Sequence, residues 1–135
     1  NVCHPLINAA EKTGTDIVVS SPPQYKTKLG GLYEYERNPK AAVKGADVIY
    51  TDTWISMGQE SLGSAKDKMK MLKPYQVNDA LLGYAKSDAM VMHCLPAHRG
   101  HEITDNVMDG KHSIVFDQAE NRLHVQKAIL CLLMR

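Results

Sequence analysis

Short β-branched runs that alternate with helical stretches constrain the fold of this chain most. The four runs cover residues 16–20 (DIVVS), 47–51 (DVIYT), 89–94 (AMVMHC) and 113–116 (SIVF). Continuous apolar runs of this length are typical of parallel strands that are buried on both faces. Because helical stretches separate them, the pattern predicts an α/β fold with three layers, in which a parallel sheet lies between helices on both faces.

The other predicted elements are mostly helices. We expect helices over residues 1–12, 38–43, 65–72, 78–85, 103–108 and 120–134, and a short edge strand over residues 33–37. The connection between Tyr25 and Tyr33 is short. Parallel strands normally need a dozen or more connecting residues, so either a crossover helix here is missing or shrunken, or a disordered segment is left out of this sequence.

The composition excludes several classes of protein. The 135 residues, 44% hydrophobic and 23% charged, suit one globular domain over residues 1–135. The net charge is +1 and the basic residues are dispersed, which argues against a nucleic-acid partner. No apolar run approaches the roughly 18 residues that would suggest a membrane span. With three widely spaced cysteines and no secretory leader pattern, we expect a cytoplasmic protein.

Chemically rich loops follow three of the predicted strands, at the edge where parallel sheets bind ligands. In the first loop, Asp52 directly follows a strand and could pair with a ligand ammonium group. Ser56 and the backbone amides near Gly58 could receive a carboxylate, so the loop could hold both ends of an α-amino acid. The spacing is equally consistent with Asp52 as a simple cap and Trp54 as a core residue.

In the second loop, Cys94 directly follows His93, and Arg99 comes five residues later. Such a cationic setting should lower the pKa of the thiol and favour a thiolate, which could be a nucleophile or relay a proton. A buried structural cysteine is an alternative. A metal site formed by His93, Cys94, His98 and His101 is a weaker one, because neighbouring strand residues face opposite sides of a sheet.

The third loop leads into the terminal helix and contains Arg122. We expect Arg122 in the first turn of that helix, where the helix dipole disfavours a cation. A residue that opposes its local preference often serves a site, and arginine suits carboxylate or phosphate oxygens. The alternative is an exposed side chain that pairs with Glu120.

Together the three loops resemble the ornithine carbamoyltransferases. The segments DTWISMGQE, MHCLPAHRG and VFDQAENRLH occur in the order of that family and at about its spacing. The resemblance implies a Rossmann-like carbamoyltransferase domain. It implies transfer of the carbamoyl group of carbamoyl phosphate to the δ-amine of ornithine, which gives citrulline and phosphate in arginine biosynthesis or the urea cycle. It also implies that no cofactor and no metal is needed.

The resemblance also implies roles for individual residues. The positions that match the ornithine-gripping residues are Asn1, Asp52, Ser56 and Met57. Cys94 and Leu95 match the pair at the reacting centre, while His93 and Pro96 shape that turn, with a cis peptide before the proline. Arg122 matches the arginine that reaches carbamoyl phosphate. We interpret Cys94 as positioning the substrate and managing a proton rather than as a nucleophile.

The phosphate-binding half of the family's active site has no counterpart in this sequence. Its Ser-Thr-rich phosphate loop is missing, so we expect the chain to supply only the ornithine half and to be inactive alone. The intact enzyme should be a homo-oligomer, by resemblance a trimer. Apolar residues surround much of the terminal helix, which predicts an uncovered interface. The competing functions are a non-catalytic amino-acid-binding domain and a carbamoyltransferase with another amine acceptor.

Overall fold

The strands of the fold pair in parallel. The computed structural model describes residues 2–55 and 65–134. Within these ranges, β1 (Val18–Val19) pairs with β2 (Glu34–Tyr35), and β3 (Val48–Thr51) pairs with β4 (Met90–His93). The α/β class and the parallel pairing expected from the sequence are confirmed. The described strands form two separate pairs.

Six α-helices lie in the described ranges. They are α1 (Cys3–Thr13), α2 (Pro39–Ala42), α3 (Ala65–Leu72), α4 (Asp79–Leu82), α5 (Asp105–Met108) and α6 (Val115–Leu133). α1 ends at Gly14, whose φ of 71° is left-handed and favours glycine. The Asn38 and Asn78 side chains accept backbone hydrogen bonds at the starts of α2 and α4. Both short helices are therefore fixed by side-chain caps.

The connection from β1 to β2 contains one 3-10 turn, Pro23–Tyr25, where a crossover helix would be expected. The first of the two alternatives from the sequence, a missing or shrunken helix, describes the connection as the structure has it. A second 3-10 turn, Lys73–Tyr75, follows α3 directly.

The main core lies around β3 and β4. It consists of Val43, Ile49, Val77, Leu81, Val91, Ile103, Val107, Met108 and Val115. Val91 and Ile103 are completely buried. Among the described residues, three polar ones are buried as well, namely Gln76, His93 and Glu102. Buried polar groups require hydrogen-bond partners, and two of these three belong to the site described below.

The prediction of a strand over residues 113–116 is wrong. Only Ser113 forms a parallel bridge, with Val91, and the flanking backbone contributes two hydrogen bonds to Val91. α6 begins at Val115, five residues before its predicted start. Those two bonds satisfy the backbone of Val91, and the first residue of the helix, Val115, is buried against the core. The β-branched run was too short for local preference to outweigh this packing.

Almost all of α6 is exposed. After Val115, only Gln118 is partly buried, and every other described residue of the helix is exposed. The large apolar side chains among them are Phe116, Leu123, Val125, Ile129, Leu130, Leu132 and Leu133. The expected uncovered apolar surface on the terminal helix is confirmed. Within the described ranges, no helix combines the length and hydropathy needed to cross a bilayer.

Candidate active site

The parallel register of β3 and β4 brings two candidate residues together. Thr51 lies opposite His93, so the residues that follow, Asp52 and Cys94, leave the sheet side by side. The Cys94 thiol donates a hydrogen bond to Asp52 Oδ1 at 2.7 Å. The Thr53 amide donates to the same oxygen, also at 2.7 Å. Asp52 therefore has a local capping bond and a contact across the strand ends. The capping alternative is therefore observed, and Trp54 is buried as a core residue would be. The pairing of Asp52 with a ligand ammonium group stays a prediction.

The expected thiolate at Cys94 is wrong. Burial, and next the hydrogen bond to the Asp52 carboxylate, raise the pKa of the Cys94 thiol to about 11. A neighbouring negative charge disfavours a second one, and a thiol that donates a hydrogen bond must keep its proton. Cys94 is therefore a neutral donor at physiological pH.

The basic side chains that follow Cys94 in the sequence bind other partners in the structure. The Arg99 guanidinium bonds both oxygens of Asp109 at 2.6 and 2.8 Å and Asp105 at 3.0 Å. The His98 Nδ1 lies 2.9 Å from the Thr53 hydroxyl. That hydroxyl donates to a backbone carbonyl, so the His98 ring is the donor in this contact. Proximity along the chain therefore misled the prediction of a lowered pKa.

A buried polar pair supports the turn after β4. His93 Nε2 lies 3.1 Å from Glu102 Oε1, and both side chains are inaccessible to solvent. His93 Nδ1 accepts the amide of Leu95 at 2.8 Å. Because Nδ1 is an acceptor, the proton resides on Nε2 and the imidazole is neutral. The His98 amide also donates to Glu102 Oε1.

Glu102 is held as a carboxylate. Burial alone would raise the pKa of Glu102, but the hydrogen bonds from His93 and from the His98 amide outweigh it and lower the pKa. A carboxylate that accepts several hydrogen bonds is stabilised in its charged form. Glu102 was missed in the sequence, since nothing in its spacing distinguishes it from a surface glutamate.

The turn at Leu95 has an unusual backbone. Leu95 has a φ of 52°, and the peptide bond to Pro96 is cis, as the resemblance implied. A left-handed conformation is uncommon for a bulky residue. The bond from the Leu95 amide to the His93 ring fixes this conformation.

Gln118 is a second residue that the sequence did not single out. Its Oε1 accepts the backbone amide of His93 at 3.0 Å, and its Nε2 donates to the Tyr50 hydroxyl at 3.0 Å. Burial raises the pKa of the Tyr50 phenol and the nearby Cys94 and Asp52 raise it further, although the bond from Gln118 acts in the opposite direction. The ends of β3 and β4 are thus joined through α6.

Arg122 is not in the first turn of its helix, so the argument from the helix dipole is wrong. It is the eighth residue of α6, because the helix begins at Val115. The alternative of a pair with Glu120 is also not observed, since Glu120 contacts His124 at 3.4 Å. Arg122 is exposed and lies four residues after Gln118, so the two share one helix face. Asn1, Ser56 and Met57 lie outside the described residues.

The residues of the alternative metal site do not converge. Cys94 bonds Asp52, whereas His93 bonds Glu102 on the other side of the strand. The rings of His98 and His101 stack with centroids 5.8 Å apart. In the part of the chain that the structure describes, no three candidate ligands cluster around a common point.

Comparison with known proteins gives the family of the chain. Residues 1–133 match the family described as aspartate/ornithine carbamoyltransferase, Asp/Orn binding domain. The chain belongs to this carbamoyltransferase family. Among curated members, it is 56% identical over 143 positions to the ornithine carbamoyltransferase of Archaeoglobus fulgidus, and 50% identical over 147 positions to that of Pyrococcus horikoshii. Each comparison covers 99% of this chain and 46% of the relative.

Solved structures of carbamoyltransferases share the fold. The ornithine carbamoyltransferase of Pyrococcus furiosus superposes with a TM-score of 0.91 at 50% identity, covering 99% of this chain and 46% of that one. The anabolic enzyme of Campylobacter jejuni gives a TM-score of 0.87 at 32% identity, covering 97% and 47%. The chain therefore has the carbamoyltransferase fold and spans less than half the length of these relatives.

Proposed function

We propose that this chain forms the ornithine-binding half of the active site of an ornithine carbamoyltransferase. The observation that carries the proposal is the hydrogen-bonded pair of Asp52 and Cys94 at the ends of β3 and β4. This pair belongs to a chain that is about half identical to enzymes of that name. The reaction would transfer the carbamoyl group of carbamoyl phosphate to the ornithine δ-amine, giving citrulline and phosphate.

The Asp52–Cys94 pair suits the management of one proton. The δ-amine must be neutral to attack the carbamoyl carbon, and its attack forms the C–N bond and a tetrahedral centre. Collapse of this centre breaks the C–O bond and releases phosphate, and the proton that the nitrogen loses passes to Asp52. Asp52 is the basic member of the pair and orients the amine, because the Cys94 thiol keeps its own proton. The thiol in turn fixes Asp52 Oδ1 through its 2.7 Å hydrogen bond. Phosphate is a good leaving group, so no covalent bond to Cys94 is required.

The remaining assignments rest on the family resemblance. Asn1, Ser56 and Met57 would grip ornithine together with Asp52. His93, Leu95 and Pro96 would shape the turn that faces the carbamoyl group. Arg122 would stabilise negative charge as the tetrahedral centre forms. Its exposed position on the Gln118 face of α6 supports this role.

The intact protein would have a second domain for carbamoyl phosphate. This is supported by the 46% coverage of the relatives and by the exposed apolar surface of α6. In that protein we propose a three-layer arrangement, with a parallel sheet between helices, and a homotrimer. A role in arginine biosynthesis is supported by a Pyrococcus furiosus relative named as anabolic. A cytoplasmic location is supported by three cysteines that are all free.

Calorimetric titration with ornithine tests the proposal directly. The chain should bind ornithine, and Asp52→Asn should weaken binding by about 1.5–3 kcal/mol, which is the typical contribution of a hydrogen bond to a charged group, since Asp52 is half-buried. Asp47→Asn is the matched control. Asp47 lies just before the opposite end of β3 and pairs with Lys86 at 2.6 Å, so its loss should leave the affinity unchanged.

Two further measurements separate the alternatives. Putrescine has the amine but lacks the α-amino acid head group, so tighter binding of putrescine than of ornithine would favour another acceptor. A protein that includes the second domain should make citrulline from ornithine and carbamoyl phosphate. If ornithine bound and no citrulline formed in that protein, a non-catalytic binding domain would be the better description.

A further inference from the structure

Gln118 joins three elements that meet at the site. It lies in the first turns of α6, and it is the only partly buried residue of that helix after Val115 among those described. Its carboxamide accepts a hydrogen bond from the His93 amide at the end of β4 and donates one to the Tyr50 hydroxyl near the end of β3. Both donor–acceptor distances are 3.0 Å, the usual length of an N–H···O hydrogen bond.

The contact with His93 leads directly to the turn. The backbone of His93 is held by Gln118, and its ring accepts the Leu95 amide at 2.8 Å. Leu95 needs that support, because it has a φ of 52°. Cys94, the thiol that bonds Asp52, lies between these two residues. A shift of the His93 backbone would therefore move both the ring that holds Leu95 and the thiol that holds Asp52.

We propose that Gln118 is a positioning residue, which fixes the end of β4 and through His93 sets the conformation of Cys94 and Leu95. One consequence rests on the proposed function, namely that this turn faces the reacting groups. The conformational part stands on the hydrogen bonds alone.

The side chain at position 118 must accept a hydrogen bond from the His93 amide and form a second hydrogen bond with the Tyr50 hydroxyl. Glutamate can do both, since its carboxylate accepts the amide and the hydroxyl can rotate to donate to it. Methionine has a similar length and can do neither well. Gln118→Glu is therefore the conservative variant and Gln118→Met the disruptive one. Gln126→Met is the matched control, because Gln126 lies on the same helix and is exposed.

The experiment is residue-resolved amide hydrogen exchange on the 135-residue chain at neutral pH. Gln118→Met should accelerate exchange of both the His93 and Leu95 amides by about tenfold or more, because each loses protection when the turn opens. Gln118→Glu should restore exchange to within about threefold of the wild type, and Gln126→Met should leave it unchanged. Faster exchange at His93 with unchanged exchange at Leu95 would overturn the proposal, because Gln118 would then only secure a strand end.

A second variant covers the case in which Gln118→Met does not fold. Tyr50→Phe removes only the hydroxyl that orients the carboxamide, and it should accelerate exchange at His93 and Leu95 together by a smaller factor. Unchanged exchange at both amides in Tyr50→Phe would then count against the proposal. Ornithine titrations on the same samples keep the two questions apart. Exchange decides the role of Gln118 whether or not the wild-type chain binds ornithine.

Discussion

Replacing Glu102 with alanine should destabilise the domain more than any other removal of an acidic side chain from the described residues. The carboxylate is completely buried and accepts from His93 Nε2 and from the His98 amide. Its loss leaves both donors without a partner. A buried unsatisfied donor costs about 1–3 kcal/mol, so the loss expected for two donors is about 2–6 kcal/mol in the free energy of unfolding. That is a large part of the roughly 5–15 kcal/mol that stabilises a typical domain.

Urea denaturation followed by circular dichroism measures this loss. Glu120→Ala is the control, since the Glu120 side chain is exposed and pairs with His124 four residues away, at 3.4 Å. A pair of this kind contributes about 0.5 kcal/mol or less. If Glu102→Ala lost less than about 1 kcal/mol, the inference that buried donors depend on this carboxylate would be refuted.

The same carboxylate should give the wild type a pH dependence. The pKa of Glu102 is lowered on folding, so its stabilising contribution is fully present above the unfolded pKa, about 4.3. The contribution is lost as the pH falls through the lower pKa of the folded state. Glu102→Gln has no such titration. The stability difference between wild type and Glu102→Gln should therefore be constant near neutral pH and shrink in acid.

Three other predictions concern Cys94 and α6. Alkylation of Cys94 by iodoacetamide should be slow at pH 8 and rise towards pH 11, and Asp52→Asn should shift that profile downwards, whereas a rate already maximal at pH 7 would contradict the raised pKa. In an intact enzyme, Cys94→Ser should lower turnover and leave residual activity, whereas a trapped thiocarbamate on Cys94 would show covalent catalysis. Sedimentation should show self-association of the chain that Leu130→Glu with Leu133→Glu reduces, since both leucines are exposed. A monomer that binds no apolar dye would argue against this.

The sequence predicted those features that follow from strand order and local pattern. Parallel strands place their carboxyl ends at one edge, so the proximity of Asp52 and Cys94 could be inferred from two strand ends. The protonation state of Cys94 could not, because it depends on the direction in which Arg99 and His98 turn in space. Glu102 and Gln118 were missed for the same reason. Their importance comes from burial and from partners that are distant in the chain, such as Tyr50.

The start of α6 shows a different limit. Residues 113–116 have strand preference, yet only Ser113 pairs, because the buried Val115 is accommodated equally well in the first turn of a helix. Because α6 begins at Val115 and not at Glu120, Arg122 is the eighth residue of the helix and does not lie in its first turn. An argument about the helix dipole depends on the first residue of a helix, which is the least certain part of a prediction from sequence.

The division of the strands into two pairs has a consequence for protein engineering. The connection without a crossover helix lies between β1 and β2, whereas Asp52 and Cys94 follow β3 and β4. Among the described residues, the two pairs form separate sheets. A loop of different length between β1 and β2 should therefore leave the β3–β4 register, and with it the Asp52–Cys94 hydrogen bond, unchanged.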